Sequence, residues 1–131
     1  MIGIVIVSHS PKIAEGVMEL ADQMTQQRVR VIPAGGVDDD TIGTNAERIY
    51  DAIRRADSGD GVLVLLDLGS AVMSAQIAVE MLDEEARHSV QLSEAPLVEG
   101  AILAAVEASL GHDLETVRIA AEAACTMQKL R

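Results

Sequence analysis

The sequence predicts a single α/β domain, three layers deep, built on a mainly parallel four-stranded sheet with strand order 2-1-3-4. Short strand-like runs alternate with longer helical patterns along the whole chain, the signature of parallel strands joined by helical crossovers. Two of those runs, IGIVIV at 2–7 and VLVLL at 62–66, are apolar at every position except a glycine, as central strands covered on both faces are. At 131 residues the chain is about one domain's worth, so 1–131 is expected to fold as one unit. There is no linker, internal repeat or low-complexity segment.

Each element follows from its own signals. After the first run, Ser10 is placed as a helix N-cap with Pro11 at the first helical position. Ile13, Val17, Leu20, Ala21 and Met24 then recur at spacings that put them on one apolar helical face. Arg28 to Ile32 reads as a second strand, ended by Pro33 and the turn formers Ala34-Gly35-Gly36. Asp38 to Asp40 reads as a solvated acidic loop, and Thr44 to Asp57 as a helix burying Ala46, Ile49, Tyr50 and Ile53. The turn Ser58-Gly59-Asp60-Gly61 precedes the third strand, which Asp67-Leu68-Gly69-Ser70 breaks. A helix is then expected from about Ala71 to Glu85, burying Val72, Ala75, Val79 and Leu82. Ser89 to Ser93 is a weaker fourth strand nearer an edge. Pro96 opens an alanine-rich helix ending at Gly111, and Asp113 caps a last helix running toward Lys129, with Cys125 as a small core residue.

Composition excludes several functions. With ten basic and twenty-one acidic residues the formal net charge is −11, which repels nucleic acid and anionic membrane surfaces alike. Tyr50 is the single aromatic residue, so there are no platforms for stacking bases, and the core has to be aliphatic. One cysteine forbids an internal disulfide, no apolar stretch approaches a membrane span of roughly 20 residues, and no basic leader opens the chain. These features predict a cytoplasmic protein. No His or Cys pair has metal-ligand spacing. The phosphate-loop, dinucleotide and G-x-S-x-G motifs are all missing, so neither nucleotide, metal nor other cofactor is expected on this chain.

In an open α/β sheet, reacting groups collect beyond the carboxyl ends of the strands, where the strand order reverses. With order 2-1-3-4, His9 and Asp67 would face each other there. A carboxylate accepting the Nδ1 proton fixes the imidazole tautomer and leaves the Nε2 lone pair free to attack. Three helix N-termini at the same rim, with Ser8, Ser10, Thr44, Gly69 and Ser70, offer amides and hydroxyls of phosphate-binding type. Separately, a histidine after a strand and an aspartate before a helix are ordinary structural residues, and His88 and His112 are read as helix C-terminal residues. Their conjunction with phosphate donors suggests phosphoryl transfer through phosphohistidine. Without nucleotide machinery, the phosphoryl group must come from another phosphoprotein.

The segments GIVIVSHSPKIAEGV, GVLVLLDLGSAVMSAQ and APLVEGA resemble the phosphotransferase subunits of phosphoenolpyruvate-dependent dihydroxyacetone kinases (the DhaM family). Their parent fold is the IIA domain of mannose-type sugar phosphotransferase systems. The resemblance runs from Ile2 to the C-terminal helix, with S-H-S and D-L-G-S-A its most specific parts. It implies that His9 is the phosphorylated residue and Asp67 its hydrogen-bonding partner. It also implies HPr as the phosphoryl donor, itself charged by enzyme I from phosphoenolpyruvate. The acceptor would be ADP held in a DhaL subunit, with dihydroxyacetone on DhaK, and the carrier would be a homodimer. Two alternatives share the fold: a IIA component of a mannose-type sugar transporter, whose loop after strand three tends to read G-G-S-P, and a non-catalytic regulatory domain.

Overall fold

The computed structural model describes residues 1–130 and has the expected four parallel strands in the order β2-β1-β3-β4. In chain order the elements are β1 (Gly3–Ser8), α1 (Pro11–Thr25), β2 (Val31–Gly35), α2 (Ala46–Ala56), β3 (Val62–Leu66), α3 (Ser70–Glu80), α4 (Glu84–Arg87), β4 (Val90–Ser93), α5 (Leu97–Ser109) and α6 (Leu114–Glu122). A 3₁₀ turn, Ala123–Thr126, follows.

Strand alternation divides the core into two layers. Ile4, Ile6, Leu63 and Leu65 pack with Ala14, Val17 and Ala21 of α1 and with the alanines of α5. Val5, Val7, Val62 and Val64 point the other way, onto Ile49, Ala52 and Ile53 of α2 and Ala71, Ala75 and Ala78 of α3. With no large rings to fill space, small side chains let backbones come close. Gly3 shows how close: a Cβ there would lie 2.1 Å from the carbonyl oxygen of Ala56, so only glycine fits.

Several boundaries and faces differ from the sequence-based expectation. The second strand starts at Val31 and runs through Pro33 to Gly35. Proline is tolerated because β2 is an edge strand. Ile4 N–H donates to the Arg30 carbonyl and Gly36 N–H to the Ser8 carbonyl, so even-numbered residues of β2 bond β1 and the Pro33 nitrogen faces outward.

On α1 the buried residues are Pro11, Ala14, Val17, Ala21 and Thr25, whereas Ile13, Leu20 and Met24 are exposed. Thr44 precedes the second helix, which Asn45 caps. The helix expected from Ala71 to Glu85 stops at Glu80, because the Asp83 side chain accepts the Ala86 N–H at 2.8 Å and starts α4 instead. Within it Ala71, Ala75 and Ala78 are buried and Val72 is not. The last helix ends at Glu122, and in the turn beyond it Ala124 is buried while Cys125 is exposed. Tyr50 is half-buried against the α2–α3 layer.

Candidate active site

The site grows from the register of the two central strands. Val7 on β1 pairs with Leu66 on β3, and the Asp67 N–H donates to the Val7 carbonyl at 3.0 Å, so both chains leave the sheet side by side. His9 and Asp67 therefore meet, at the rim where the strand order reverses.

Asp67 holds the histidine by both of its oxygens. Oδ1 lies 3.0 Å from His9 Nδ1, and Oδ2 accepts the His9 backbone N–H at 2.8 Å. Oδ2 also accepts the Ser8 hydroxyl at 2.8 Å. An ionised carboxylate can only accept, so the short Nδ1 contact places a ring proton on Nδ1, and in the neutral imidazole the lone pair is then on Nε2. Side-chain exposures of 35% for His9 and 24% for Asp67 leave the ring reachable and the carboxylate sheltered.

Nε2 faces a string of neutral hydroxyls. Ser70 Oγ lies 2.9 Å from Nε2, Thr44 Oγ1 lies 3.3 Å from Ser70 Oγ, and Ser74 Oγ lies 2.7 Å from Thr44 Oγ1. Ser70 opens α3, whose N-cap Gly69 brings no side-chain cap; the Ala71 and Val72 N–H groups turn back onto the Leu68 and Gly69 carbonyls at 3.3 and 3.1 Å. Gly69 sits at φ +62° with open space around its missing Cβ, so glycine is there for the backbone turn and not for room. Thr44 is brought in by its loop: the Gly43 N–H donates to the His9 carbonyl at 2.9 Å.

Of the residues proposed from sequence, His9, Asp67, Thr44, Ser70 and Gly69 come together in one place. Ser8 and Ser10 stand differently. The Ser8 hydroxyl is buried behind Asp67, donating to its carboxylate and accepting the Ser10 N–H at 3.1 Å. It orients the acid and has no face toward Nε2. Ser10 Oγ caps α1 by accepting the Ile13 N–H at 3.2 Å. Ser74 and the Gly43 amide were not among the residues proposed for the site. Ser74 had a signal, since it lies one helical turn beyond Ser70 and shares its face. The other histidines sit at helix ends: His88 is the C-cap of α4, and His112 follows α5 and pairs with Glu107. The Asp38–Asp40 loop is exposed, with Asp39 paired to Arg48 at 3.1 Å. Among the described residues no group of three His, Cys, Asp or Glu could hold a metal ion, and no helix is long and apolar enough to cross a membrane.

Chemically, the arrangement presents an imidazole nitrogen of fixed tautomer to solvent, with a carboxylate behind it to balance positive charge on the ring. In front of it lie hydroxyls and the positive end of a helix that has no side-chain cap, suited to an anion.

Comparison with known proteins agrees with this frame. A phosphoryl donor subunit DhaM of PEP-dependent dihydroxyacetone kinase 2 from Listeria innocua is 41% identical over 117 residues, covering 89% of this chain and 94% of that protein. DhaM subunits from Escherichia coli and Providencia stuartii are 44% and 42% identical over 120 residues. This chain spans only 25% of the length of each of those two. The crystal structure of a protein of unknown function, EF1359, superposes with a TM-score of 0.87 at 33% identity, covering all of both chains. Residues 3–118 match the EIIA-man family, described as the PTS system fructose IIA component, and this chain belongs to that family.

Proposed function

We propose that this chain is the phosphoryl donor subunit of a PEP-dependent dihydroxyacetone kinase, a phosphotransferase that carries the phosphoryl group on His9 Nε2. The observation that supports it most is the pairing of His9 Nδ1 with Asp67 Oδ1 at 3.0 Å while Nε2 looks outward onto Ser70. The names of several relatives over nearly nine-tenths of the chain point to the same role.

A phosphohistidine on HPr presents its phosphorus to His9. The Nε2 lone pair attacks, the N–P bond of the donor breaks, and its electron pair returns to the donor imidazole. The substituted His9 ring is positively charged, and Asp67 stabilises it through a charge-assisted hydrogen bond. Ser70 and Thr44 turn their hydroxyls from each other and from Nε2 toward the phosphoryl oxygens. In the second half, a terminal phosphate oxygen of ADP on DhaL attacks phosphorus and the electron pair returns to Nε2. DhaK holds the dihydroxyacetone that is phosphorylated in the end. The carrier itself binds no nucleotide, metal or other cofactor, works in the cytoplasm and forms a homodimer.

The family description keeps a sugar-transporter IIA role in view. The loop D-L-G-S-A at 67–71, in place of G-G-S-P, favours the kinase. Incubation with labelled phosphoenolpyruvate, enzyme I and HPr should label the wild type and leave His9→Ala unlabelled. Chasing with DhaL, DhaK, ADP and dihydroxyacetone should then move the label to dihydroxyacetone phosphate. Label that stays on the carrier in the chase overturns the kinase assignment.

A further inference from the structure

The hydroxyl string leads away from the reacting nitrogen to a residue that touches neither the imidazole nor its carboxylate. We infer that Ser74 is a positioning residue, which holds the Thr44 hydroxyl on Ser70 and through it sets the hydrogen bond at His9 Nε2. The inference rests on the carrier reading for its kinetic consequence and on the geometry alone for its spectroscopic one.

Three observations support it. The Ser74–Thr44 contact, at 2.7 Å, is the tightest of the string, and the Thr44–Ser70 contact, at 3.3 Å, is the loosest. A rotor between a strong and a weak partner is fixed by the strong one, so Ser74 decides where the Thr44 hydroxyl points. Ser74 itself is carried on α3, four residues beyond Ser70, so helix geometry fixes the spacing of the two hydroxyls. Thr44 comes from a separate loop, tied to the site through the Gly43 N–H on the His9 carbonyl at 2.9 Å. Ser74 thus ties the end of that loop to α3.

Every member of the string can either donate or accept. With Nε2 unprotonated and unsubstituted, a consistent direction runs from Ser74 to Thr44, to Ser70, to Nε2. Each donated bond polarises the next. When a phosphoryl group occupies Nε2, that lone pair is gone, and Ser70 and Thr44 are released to donate to phosphoryl oxygens. Ser74 remains the fixed end in both states, so the Thr44 oxygen keeps its place at the moment of transfer and only its proton turns.

The test separates this role from general support of the fold. Phosphoramidate serves as a partner-free donor, its P–N bond breaking to release ammonia as Nε2 takes the phosphoryl group. With it, Ser74→Ala should phosphorylate about threefold to tenfold more slowly, the range set by one ordinary neutral hydrogen bond. Ser74→Thr, which keeps a hydroxyl, should restore the rate. Thr44→Val should lose at least as much, and Thr44→Val with Ser74→Ala should be no slower than Thr44→Val alone, because Ser74 acts only through Thr44. In parallel, the ¹⁵N resonance of His9 Nε2 in the unphosphorylated protein should move in Ser74→Ala and return in Ser74→Thr. An unmoved resonance, or additive losses in the double variant, overturns the inference. If wild type is labelled by phosphoramidate but not by phospho-HPr, the carrier reading fails while this one stands. If neither donor labels it, the resonance arm still decides.

Discussion

The N-termini of α1 and α3 lie past adjacent strands at one rim of the sheet and are finished in opposite ways. At α1, Ser10 is extended at φ −104° and its hydroxyl accepts the Ile13 N–H, while Pro11 brings no N–H. At α2 the Asn45 side chain accepts the Glu47 and Arg48 amides. At α3 the cap is glycine, the first turn holds no acidic residue, and the Ser70 hydroxyl turns to His9 Nε2 instead of to the helix. A side-chain cap satisfies orphan donors and stabilises the fold, whereas at α3 the Ala71 and Val72 amides turn back onto the Leu68 and Gly69 carbonyls and the Ser70 hydroxyl is left for the site. The same local chemistry that makes two of these helix starts structural makes the third available for function.

The most direct way to break the contrast is to put a negative charge on the open end. Ser70→Asp should leave thermal stability unchanged or slightly raised, since a carboxylate in the first turn complements the helix dipole. Phosphoryl uptake should fall by about a hundredfold or more, because like charges about 4 Å apart at an effective dielectric of about 20 repel by ~4 kcal/mol. Initial labelling rates from phospho-HPr and a melting curve measure both. Uptake at the wild-type rate would return α3 to the class of ordinary helix starts.

Asp67→Asn sharpens the comparison from behind the ring. Asparagine can still accept a hydrogen bond but lacks the charge that stabilises a cationic imidazole, and a charge-assisted bond is about twice as strong as a neutral one. Uptake should slow by about tenfold, with circular dichroism showing the fold retained. An unaltered rate would leave Asp67 as a loop residue and place the catalytic contribution entirely on the hydroxyls and amides in front.

Ser10→Ala examines the closed end. Loss of the cap should cost about 1 kcal/mol of stability, read by urea unfolding, while the rate of phosphoryl uptake stays put. The reverse pattern, full stability with slow uptake, would give Ser10 the phosphate contact that its sequence position first suggested. A smaller effect is expected at a third kind of cap. Asp113 is the charged cap of α6, and its carboxyl is held below the ordinary 3.8 first by the Thr116 backbone N–H and then by the Thr116 side chain. The sign follows from linkage: the contribution is present above about 3.8 and is lost as pH falls through the lowered value. Asp113→Asn should therefore flatten a slight acid-side slope in melting temperature below pH 4, with a small loss of stability at neutral pH that vanishes in acid.

Much of this contrast was legible in the sequence where local chemistry dictates it. IGIVIV and VLVLL have to be central strands, and central parallel strands bring the next residues, His9 and Asp67, to one rim. Faces of helices were less legible when two apolar stripes compete. On α1, Ile13, Leu20 and Met24 are more hydrophobic than Ala14 and Ala21, yet the alanines are buried, because α1 packs closely over the sheet and beside the alanine-rich α5. On α3 the same preference for alanine displaced Val72 from the core. Ser8 and Ser10 were legible as hydroxyls near the histidine, but which way each hydroxyl points depends on Oδ2 of Asp67 and on the cap geometry. Ser74 meets Thr44 across 30 positions, a contact no spacing rule can state.

Proline within β2 has a consequence for solubility. An edge strand offers backbone groups to any other strand, which is how sheets recruit neighbours and aggregate. Here the outward position at Pro33 has no donor to give. Two residues on, the carbonyl of Gly35 accepts the Arg48 Nη2 at 3.2 Å, and Arg48 also holds Asp39 at 3.1 Å, laying a charged side chain along the border. A foreign strand approaching this side meets a missing donor, an occupied acceptor and fixed charges in succession. Growth of the sheet beyond β2 is thereby disfavoured at Pro33 and Gly35 without any extra element to cover the edge.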